Sequence, residues 1–303
     1  NINPIKEFNI KKILVTGSGG FLGSALVNGL SKFNYIIYAL DINFSYKLDN
    51  LSKIKKIKIN LLNKNSINKI DNIDVFIHCA ALTRPVKTKD NNNLLNINNK
   101  LTLNALELAK LNAAKTFFFI SSTSVYRYFN SITYNERSKV RGSEPYSKSK
   151  LFGEKFSREF CKKNKIKHTV LRIGNIYSGN EFKKWSRSNT SLFQNWLNTS
   201  KKRKIMKTNS FNTFRDWTFV NDISIALHNI IKKRNKFKLL NLVSPFIIKD
   251  IDLMCLIDSN AKHIEIEGSN LSNNSTVTIY RNKLSFKNWT SPKKVINLIK
   301  KNT

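Results

Sequence analysis

Short apolar runs separated by amphipathic stretches repeat along the first half of the chain. The runs are KILVTG, YIIYALD, IKIN, DVFIHCAA, KTFFFISS and KHTVLRIGN, and they lie between Lys12 and Asn175. Nearly continuous apolar runs of this length are typical of strands buried on both faces of a parallel sheet. The pattern therefore predicts six short buried strands.

The stretches between these runs have a helical period. Over 22–33 and 94–114, apolar residues recur three and four positions apart, for example Leu101, Leu108 and Leu111. Strands alternating with amphipathic helices predict an α/β fold, a doubly wound parallel sheet with helices on both faces.

The regular alternation weakens after residue 172. Residues 178–213 are polar, with Trp185 and Trp196 but no clean strand run, whereas FVNDISIALHNIIKK predicts a helix and KLLNLVS a further strand. We predict one large domain over 10–172 with about 213–245. A smaller C-terminal substrate-binding lobe would form from about 173–212 and 246–303, leaving a cleft between the two.

Charge and cysteine content narrow the classes of partner. The 303 residues carry a net charge of +34, which suggests nucleic acid, but the lysine-dominated runs lack the interleaved aromatic residues of a single-strand groove. We expect a solvated basic surface and no specific nucleic-acid partner. Three separated cysteines suggest neither a disulfide framework nor a zinc site, and no apolar run reaches membrane-spanning length. A cytoplasmic protein without a membrane partner is expected.

A glycine cluster points to a dinucleotide. Four of the chain's ten glycines lie in VTGSGGFLG, between the first strand and the first helix. Glycines there permit a tight turn and let a pyrophosphate approach the helix N-terminus. The second strand ends in Asp41, whose carboxylate would accept hydrogen bonds from a ribose and repel a 2′-phosphate. This favours NAD over NADP.

The spacing Gly17-x-x-Gly20-x-x-Gly23 resembles the extended, nucleotide-sugar-modifying branch of the short-chain dehydrogenase/reductase superfamily. Further motifs resemble that family in the same order up to about residue 298: IHCAA, an Asn-x-x-x-Thr helix, FFFISSTSVY, EPYSKSK, LRIGNIY, RDWTFVND, LLNLVS and FKNWTSPKKV. The chain departs from the family pattern at Asn60, where an aspartate is usual, and at 177–179, and residues 249–276 match nothing in it. The resemblance implies a Rossmann domain, NAD and a nucleotide-sugar substrate.

Tyr146 and Lys150 are four positions apart and would share one face of a helix. A phenol has a pKa near roughly 10, and a nearby ammonium with a cationic nicotinamide would favour the phenolate needed for a general base. Ser122 aligns with the family's catalytic Ser/Thr and would hydrogen-bond the reacting oxygen. We predict these three as the catalytic residues.

The resemblance also implies binding residues. The predicted cofactor contacts are Gly17, Gly20, Phe21, Leu22, Gly23, Asp41, Asn60, Leu61, Ala80, Ala81, Asn98, Ser121, Tyr146, Lys150 and Ile173. The predicted substrate contacts are Arg84, Thr123, Ser124, Asn175, Arg215 and Arg281, because planar guanidinium groups suit phosphate oxygens. No metal site is expected, and His78 is interpreted as a core histidine. By resemblance, a homodimer would form through the helices bearing 94–114 and 146–163.

The residues beside Ser122 bear on the reaction. Relatives that dehydrate or decarboxylate the sugar carry acidic residues here, and those that epimerise and reduce carry a cysteine, whereas this chain has Thr123 and Ser124. What remains is hydride chemistry at sugar C4. We predict an epimerase acting through a 4-keto intermediate. The alternatives are a 4-dehydrogenase or 4-keto reductase and, less favoured, a catalytically silent protein that binds NAD or RNA.

Overall fold

The computed structural model of the chain describes residues 11–83, 91–126, 133–183, 187, 189–232, 237–266, 277–278 and 286–301. The strands are β1 (Lys11–Thr16), β2 (Tyr35–Asp41), β3 (Ile54–Lys58), β4 (Val75–His78), β5 (Thr116–Ser122), β6 (Thr133–Tyr134), β7 (Lys167–Ile173), β8 (Asn175–Tyr177), β9 (Met206–Thr208), β10 (Phe214–Phe219), β11 (Leu239–Leu242), β12 (Ile247–Lys249), β13 (His263–Glu265) and β14 (Val277–Thr278). The helices are α1 (Phe21–Leu30), α2 (Asn91–Leu111), α3 (Pro145–Lys163), α4 (Leu192–Lys201), α5 (Val220–Lys232), α6 (Asp250–Ile257) and α7 (Pro292–Lys301).

The central sheet contains seven strands in the order β11-β7-β5-β4-β1-β2-β3, and every neighbouring pair in it is parallel. Each apolar run singled out in the sequence overlaps one of these strands, but IKIN shares only Ile57 and Lys58 with β3, which is an edge strand and mostly exposed rather than buried as predicted. The predicted doubly wound α/β fold is therefore confirmed. The strand order reverses between β1 and β4, and this is where ligands bind in sheets of this type.

Successive residues of β1 enter different cores. Ile13 and Val15 pack with α1 and α5 on one face, while Leu14 packs with α2 on the other. This burial on both faces explains why the strands are apolar at successive positions.

A separate apolar cluster lies outside the central sheet. Tyr177, Trp196 and Trp217 pack there with residues of α6 and α7. Two small sheets accompany the cluster, β12-β10-β8 and β13-β9. Residues 178–213, which gave no strand pattern, contribute α4 and β9 to this region. In the part of the chain that the structure describes, no helix combines the length and the apolar character needed to cross a bilayer.

Candidate active site

The turn after β1 brings backbone groups to the carboxyl edge of the sheet. Gly17 has a φ of 70°, a left-handed conformation that favours glycine, and a Cβ on it would lie 2.6 Å from the Ala80 nitrogen. A Cβ on Gly23 would lie 2.0 Å from the Gly17 oxygen, so α1 packs directly against the turn. A Cβ on Gly20 would meet only that same oxygen, at 3.1 Å. That contact is tight, but no other atom lies within 4 Å, so the space on the remaining sides of Gly20 is open at the N-terminus of α1, where backbone N–H groups bind anions.

A cavity of about 290 Å³ is bounded by this turn, the ends of β2 and β4, and α3. Most of the predicted cofactor contacts line it: Gly17, Gly20, Phe21, Leu22, Gly23, Asp41, Asn60, Leu61, Ala80, Ala81, Tyr146 and Lys150. Asn98, Ser121 and Ile173 are described but are not in its lining. Asn98 instead bonds the backbone of Leu82 on both its N–H and its carbonyl, which fixes the chain that follows β4.

Asp41 lies at the end of the cavity that the sequence assigned to the ribose. One carboxylate oxygen accepts from the Gly19 N–H at 2.9 Å, and the other accepts from the Asn43 N–H at 3.0 Å. Each oxygen keeps a further lone pair for a ligand hydroxyl. The carboxylate is thus held by the glycine turn and fits the ribose of a dinucleotide whose pyrophosphate lies beside Gly20.

Two of the predicted catalytic residues, Tyr146 and Lys150, line the cavity, whereas Ser122 is described but is not in its lining. Ser122 lies beside Tyr146, and hydrogen bonding from its side chain acts to lower the pKa of that phenol, while the Ser122 oxygen accepts from the Ser124 N–H at 3.1 Å. Lys150 Nζ donates to the Ile120 carbonyl at 2.9 Å and lies 5.5 Å from the centroid of the Tyr146 ring. The helical spacing of Tyr146 and Lys150 places both side chains on the face of α3 that packs on β5.

Desolvation dominates the ionisation of these groups. It raises the pKa of Tyr146 to about 12, against the opposing effects of the Arg187 charge and the Ser122 hydrogen bond. Desolvation also lowers the pKa of Lys150 to about 8, against the opposing effects of Cys79 and the Glu154 carboxylate. The phenolate therefore needs further positive charge beside it, which a bound cationic nicotinamide would supply.

Tyr46 and Arg187 are among the cavity residues that the sequence did not single out. The Tyr46 ring stacks on Phe182 at 4.1 Å between centroids, and its hydroxyl accepts from the Phe182 N–H at 3.2 Å. Arg187 forms an ion pair with the buried Glu181 at 3.0 Å, and its guanidinium lies 5.4 Å from the centroid of the Phe21 ring. Both lie in loops that carry no family motif, so no sequence signal marked them.

The described residues that were predicted to contact the substrate lie outside the lining of the cavity. Asn175 donates to Asp216 at 2.9 Å, and Arg215 forms an ion pair with the buried Asp250 at 3.0 Å. Neither lines the cavity. Thr123 is buried and Ser124 half-buried directly after β5. Arg84 and Arg281 lie outside the described residues, so their roles stay predictions.

The histidine in β4 is held within the core. His78 Nδ1 is 2.8 Å from the Thr16 hydroxyl, and burial lowers the pKa of His78 to about 3, so the ring is neutral. Over the described ranges, no group of three or more His, Cys, Asp or Glu side chains is arranged to hold a metal ion.

Comparison with known proteins identifies the family. Residues 13–242 match the model of the NAD dependent epimerase/dehydratase family. A dTDP-D-glucose 4,6-dehydratase of Dictyostelium discoideum is 30% identical over 276 residues, which cover 83% of this chain but only 62% of that protein's length. A putative UDP-glucose 4-epimerase of Methanocaldococcus jannaschii is 28% identical over 225 residues, 71% of each chain.

A solved structure shows the same fold. The epimerase Mth375 of Methanothermobacter thermautotrophicus superposes with a TM-score of 0.83 at 22% identity, covering 97% of this chain and 93% of that one. The chain belongs to the NAD-dependent epimerase/dehydratase family, an enzyme family whose cofactor is NAD.

Proposed function

We propose that the chain is a nucleotide-sugar epimerase that inverts C4 of the sugar through a 4-keto intermediate. The observation that carries the proposal is the placement of Tyr146 and Lys150 in the lining of the cavity that also contains Asp41, with Ser122 beside Tyr146. NAD, when bound, supplies the hydride acceptor and a positive nicotinamide ring. This chain's own residues supply the proton chemistry.

Tyr146 is the proposed general base for the 4-hydroxyl. Its phenolate would take the hydroxyl proton, and the Ser122 hydroxyl would donate to the reacting oxygen as its charge changes. The Ser124 N–H holds the Ser122 oxygen, which orients the Ser122 proton toward the reacting side. Lys150 keeps a positive charge close to the phenolate and can also hold the nicotinamide ribose. When the hydride returns to the opposite face of C4, Tyr146 returns the proton and completes the inversion.

The carboxylates argue against dehydration, the activity of one relative. Among the described residues that line the cavity, Asp41 is the one acidic side chain, and it lies at the ribose end. The nearest carboxylate of α3, Glu154, is turned away from the cavity and bonded to Arg172 and Ser121. Thr123 and Ser124 offer hydroxyls only. No described acid is therefore placed to remove water from the sugar beside Tyr146.

Contacts across the cavity favour an epimerase over a reductase or a dehydrogenase. Tyr46 follows β2 and lines the cavity, and Phe182, which stacks on it, belongs to the segment after β8. Arg187 joins the same segment to Phe21 at the start of α1. These contacts connect two walls of the cavity and would slow the release of a bound dinucleotide. A retained NAD suits a reaction in which the hydride leaves C4 and returns to it.

The remaining assignments are part of the proposal. Asn175 and Arg215, with Arg84 and Arg281, would hold the diphosphate of the nucleotide sugar. The aromatic cluster around Trp196 would form the substrate-binding lobe, with the domain boundaries predicted from the sequence. The exposed face of α2 and α3 would form a homodimer, and the protein would work in the cytoplasm.

Incubation with a panel of nucleotide sugars in D₂O tests the proposed reaction. We expect a C4 isomer without net change in NADH and without deuterium in the product, because the hydride that leaves C4 is the one that returns. Mass spectrometry and NMR of the product separate the alternatives. Stoichiometric change in NADH would instead indicate a reductase or dehydrogenase, and loss of water with deuterium uptake would indicate a dehydratase.

A further inference from the structure

Three consecutive residues of β5 are bonded to three residues of α3 spaced four apart. The Ser122 hydroxyl pairs with Tyr146, the Ile120 carbonyl accepts from Lys150, and the Ser121 hydroxyl donates to Glu154 at 2.6 Å. The first two bonds involve the proposed catalytic residues. The third bond, between Ser121 and Glu154, has no role in the proposed chemistry, yet it joins the same strand to the same helix.

Glu154 is buried and fully engaged. Arg172 donates to one carboxylate oxygen from Nε at 2.8 Å and to the other from a terminal nitrogen at 2.6 Å, and both side chains are only 5% exposed. A charge so far from water is costly unless it is paired and hydrogen-bonded, as this one is. The pairing fixes the Glu154 carboxylate in one orientation, toward Ser121.

Arg172 is held in turn by neighbouring strands. It lies opposite Ser121 in the β5–β7 register and opposite Asn241 in the β7–β11 register. Its remaining terminal nitrogen donates to the Tyr126 hydroxyl at 2.8 Å, which donates to Asn241 at 2.8 Å. Contacts with three strands of the sheet, β5, β7 and β11, therefore fix the position of Glu154.

Close packing of α3 on β5 makes this bonding sensitive to small shifts. A Cβ on Gly153 would lie 2.1 Å from the Phe119 ring, so the helix approaches the strand as closely as a glycine allows. The bond to Glu154 lies one helical turn beyond Lys150. Loss of this bond would let the end of β5 move relative to α3, and such misplacement is costly for catalysis.

We infer that Glu154, fixed by Arg172, is a positioning residue that aligns Ser122 with Tyr146 and keeps the Lys150 ammonium charged. The inference rests on the proposed function of Ser122, Tyr146 and Lys150. Neither Glu154 nor Arg172 touches the cavity, so both act through their neighbours.

The charged and titratable neighbours of Lys150 set the expected direction. From α3 these are Tyr146 and Glu154, and from β4 and its end they are His78 and Cys79. His78 is neutral, and burial raises the pKa of the Cys79 thiol to about 12. Glu154 is thus the anionic neighbour of Lys150 at neutral pH. Removal of its charge should lower the pKa of Lys150 below its value of about 8.

The first test is Glu154→Gln, which removes the charge and keeps a hydrogen-bonding amide. We expect kcat to fall about tenfold with KM for the nucleotide sugar within about twofold, because only alignment of the reacting groups is lost. The basic limb of the pH–kcat profile should move to lower pH by about one pH unit. The control is Asp74→Asn, which breaks an ion pair with Lys115 of 2.7 Å at the opposite end of β5 and should leave both quantities unchanged.

A double variant, Glu154→Leu with Arg172→Met, covers the case in which an unpaired Arg172 prevents folding. Apolar replacement of a buried ion pair commonly preserves the fold. We expect this variant to fold and to remain as impaired in kcat as Glu154→Gln. Wild-type kcat and an unchanged pH profile in the double variant would show that the ion pair only stabilises the fold, and would overturn the inference.

Lys150 can also be followed without turnover. Acetic anhydride labelling of Lys150, read by peptide mass spectrometry over a pH series in the holoprotein, reports its deprotonation directly. The midpoint should lie at lower pH in Glu154→Gln than in the wild type, and equal midpoints would overturn the inference. If the wild type converts no nucleotide sugar, the proposed function fails, while the labelling still decides the role of Glu154.

Discussion

The two ends of the cavity present different chemical groups, backbone groups at one end and side chains at the other. At the glycine turn the ligand-facing groups are backbone N–H groups, and even Asp41 is held by the backbone of Gly19 and Asn43. At α3 the cavity is lined by the side chains of Tyr146 and Lys150, with Ser122 of β5 beside Tyr146. Backbone geometry suffices to hold a dinucleotide, whereas proton transfer depends on side chains whose ionisation is set by desolvation. Substitutions at the two ends should therefore fail in different ways.

The largest effect is expected at the α3 end, from Tyr146→Phe. We expect kcat to fall about 10³-fold, since the general base is removed, while NAD binding at the glycine turn stays unchanged. Steady-state rates and the NAD content of the purified protein measure the two quantities. Tyr35→Phe is the control, because its hydroxyl contacts His228 at 2.8 Å, at the far end of β2. Undiminished turnover in Tyr146→Phe would refute the proposed mechanism.

The glycine end is tested by a matched pair, Gly23→Ala and Gly20→Ala. In Gly23→Ala the new Cβ meets the Gly17 oxygen at 2.0 Å, so both the melting temperature of the apoprotein and NAD affinity should fall, the latter about 100-fold. In Gly20→Ala the new Cβ meets the same oxygen at 3.1 Å, a milder overlap, so the melting temperature of the apoprotein should fall less than in Gly23→Ala while NAD affinity still falls. Calorimetry and NAD titration separate the two outcomes. Equal NAD affinity in Gly20→Ala and the wild type would show that no ligand lies beside Gly20.

Lys150→Met should separate stability from function at the α3 end. Desolvation lowers the pKa of Lys150 from 10.5 to about 8, so the folded apoprotein bears the cost of a buried ammonium below about pH 8. That cost fades as pH rises from 8 toward 10.5, where the folded state loses the proton first. The variant should be more stable at neutral pH, by up to about 3 kcal/mol, and the gain should vanish above about pH 10.

Denaturant titrations of both proteins over this pH range measure that difference, while turnover of the variant should be impaired throughout. A variant that is less stable than the wild type at pH 7 would show that the Lys150 bond to the Ile120 carbonyl outweighs the desolvation cost.

The sequence predicted the glycine turn and placed Tyr146 and Lys150 on one helix for physical reasons. Strands buried on both faces must be apolar at successive positions, so β1, β2, β4, β5 and β7 were visible as continuous runs. The helical spacing of Tyr146 and Lys150 and the position of Asp41 at the end of β2 are local patterns, and the structure has both as predicted.

The region around Trp196, outside the central sheet, gave weaker sequence patterns because its helices and strands are short. β8, β9 and β12 are three residues long, too short for a period to show, and Trp196 enters a core formed with distant residues. Tyr46 and Phe182 are 136 positions apart, and Glu154 and Arg172 belong to different elements, so their roles arise only from tertiary contact. Local sequence patterns locate the groups expected to bind the pyrophosphate and ribose of a dinucleotide. They do not locate the side-chain contacts that close or align the site, because those form only between distant parts of the chain.

The smallest predicted effect concerns the contacts that join the two walls of the cavity. Phe182→Ala removes a ring stacked on Tyr46 at 4.1 Å, an interaction worth roughly 1 kcal/mol, so NAD should dissociate about fivefold faster with little change in kcat at saturating NAD. Tyr46→Ala should act similarly. NAD should dissociate from the double variant no faster than from the faster of the two single variants, because both substitutions remove the same contact. Stopped-flow displacement of NADH measures these rates. Additive effects of the two substitutions would mean that Tyr46 and Phe182 hold the cofactor independently. An unchanged NAD dissociation rate in both variants would remove the structural support for NAD retention. The main reason to prefer an epimerase over a reductase would then be lost.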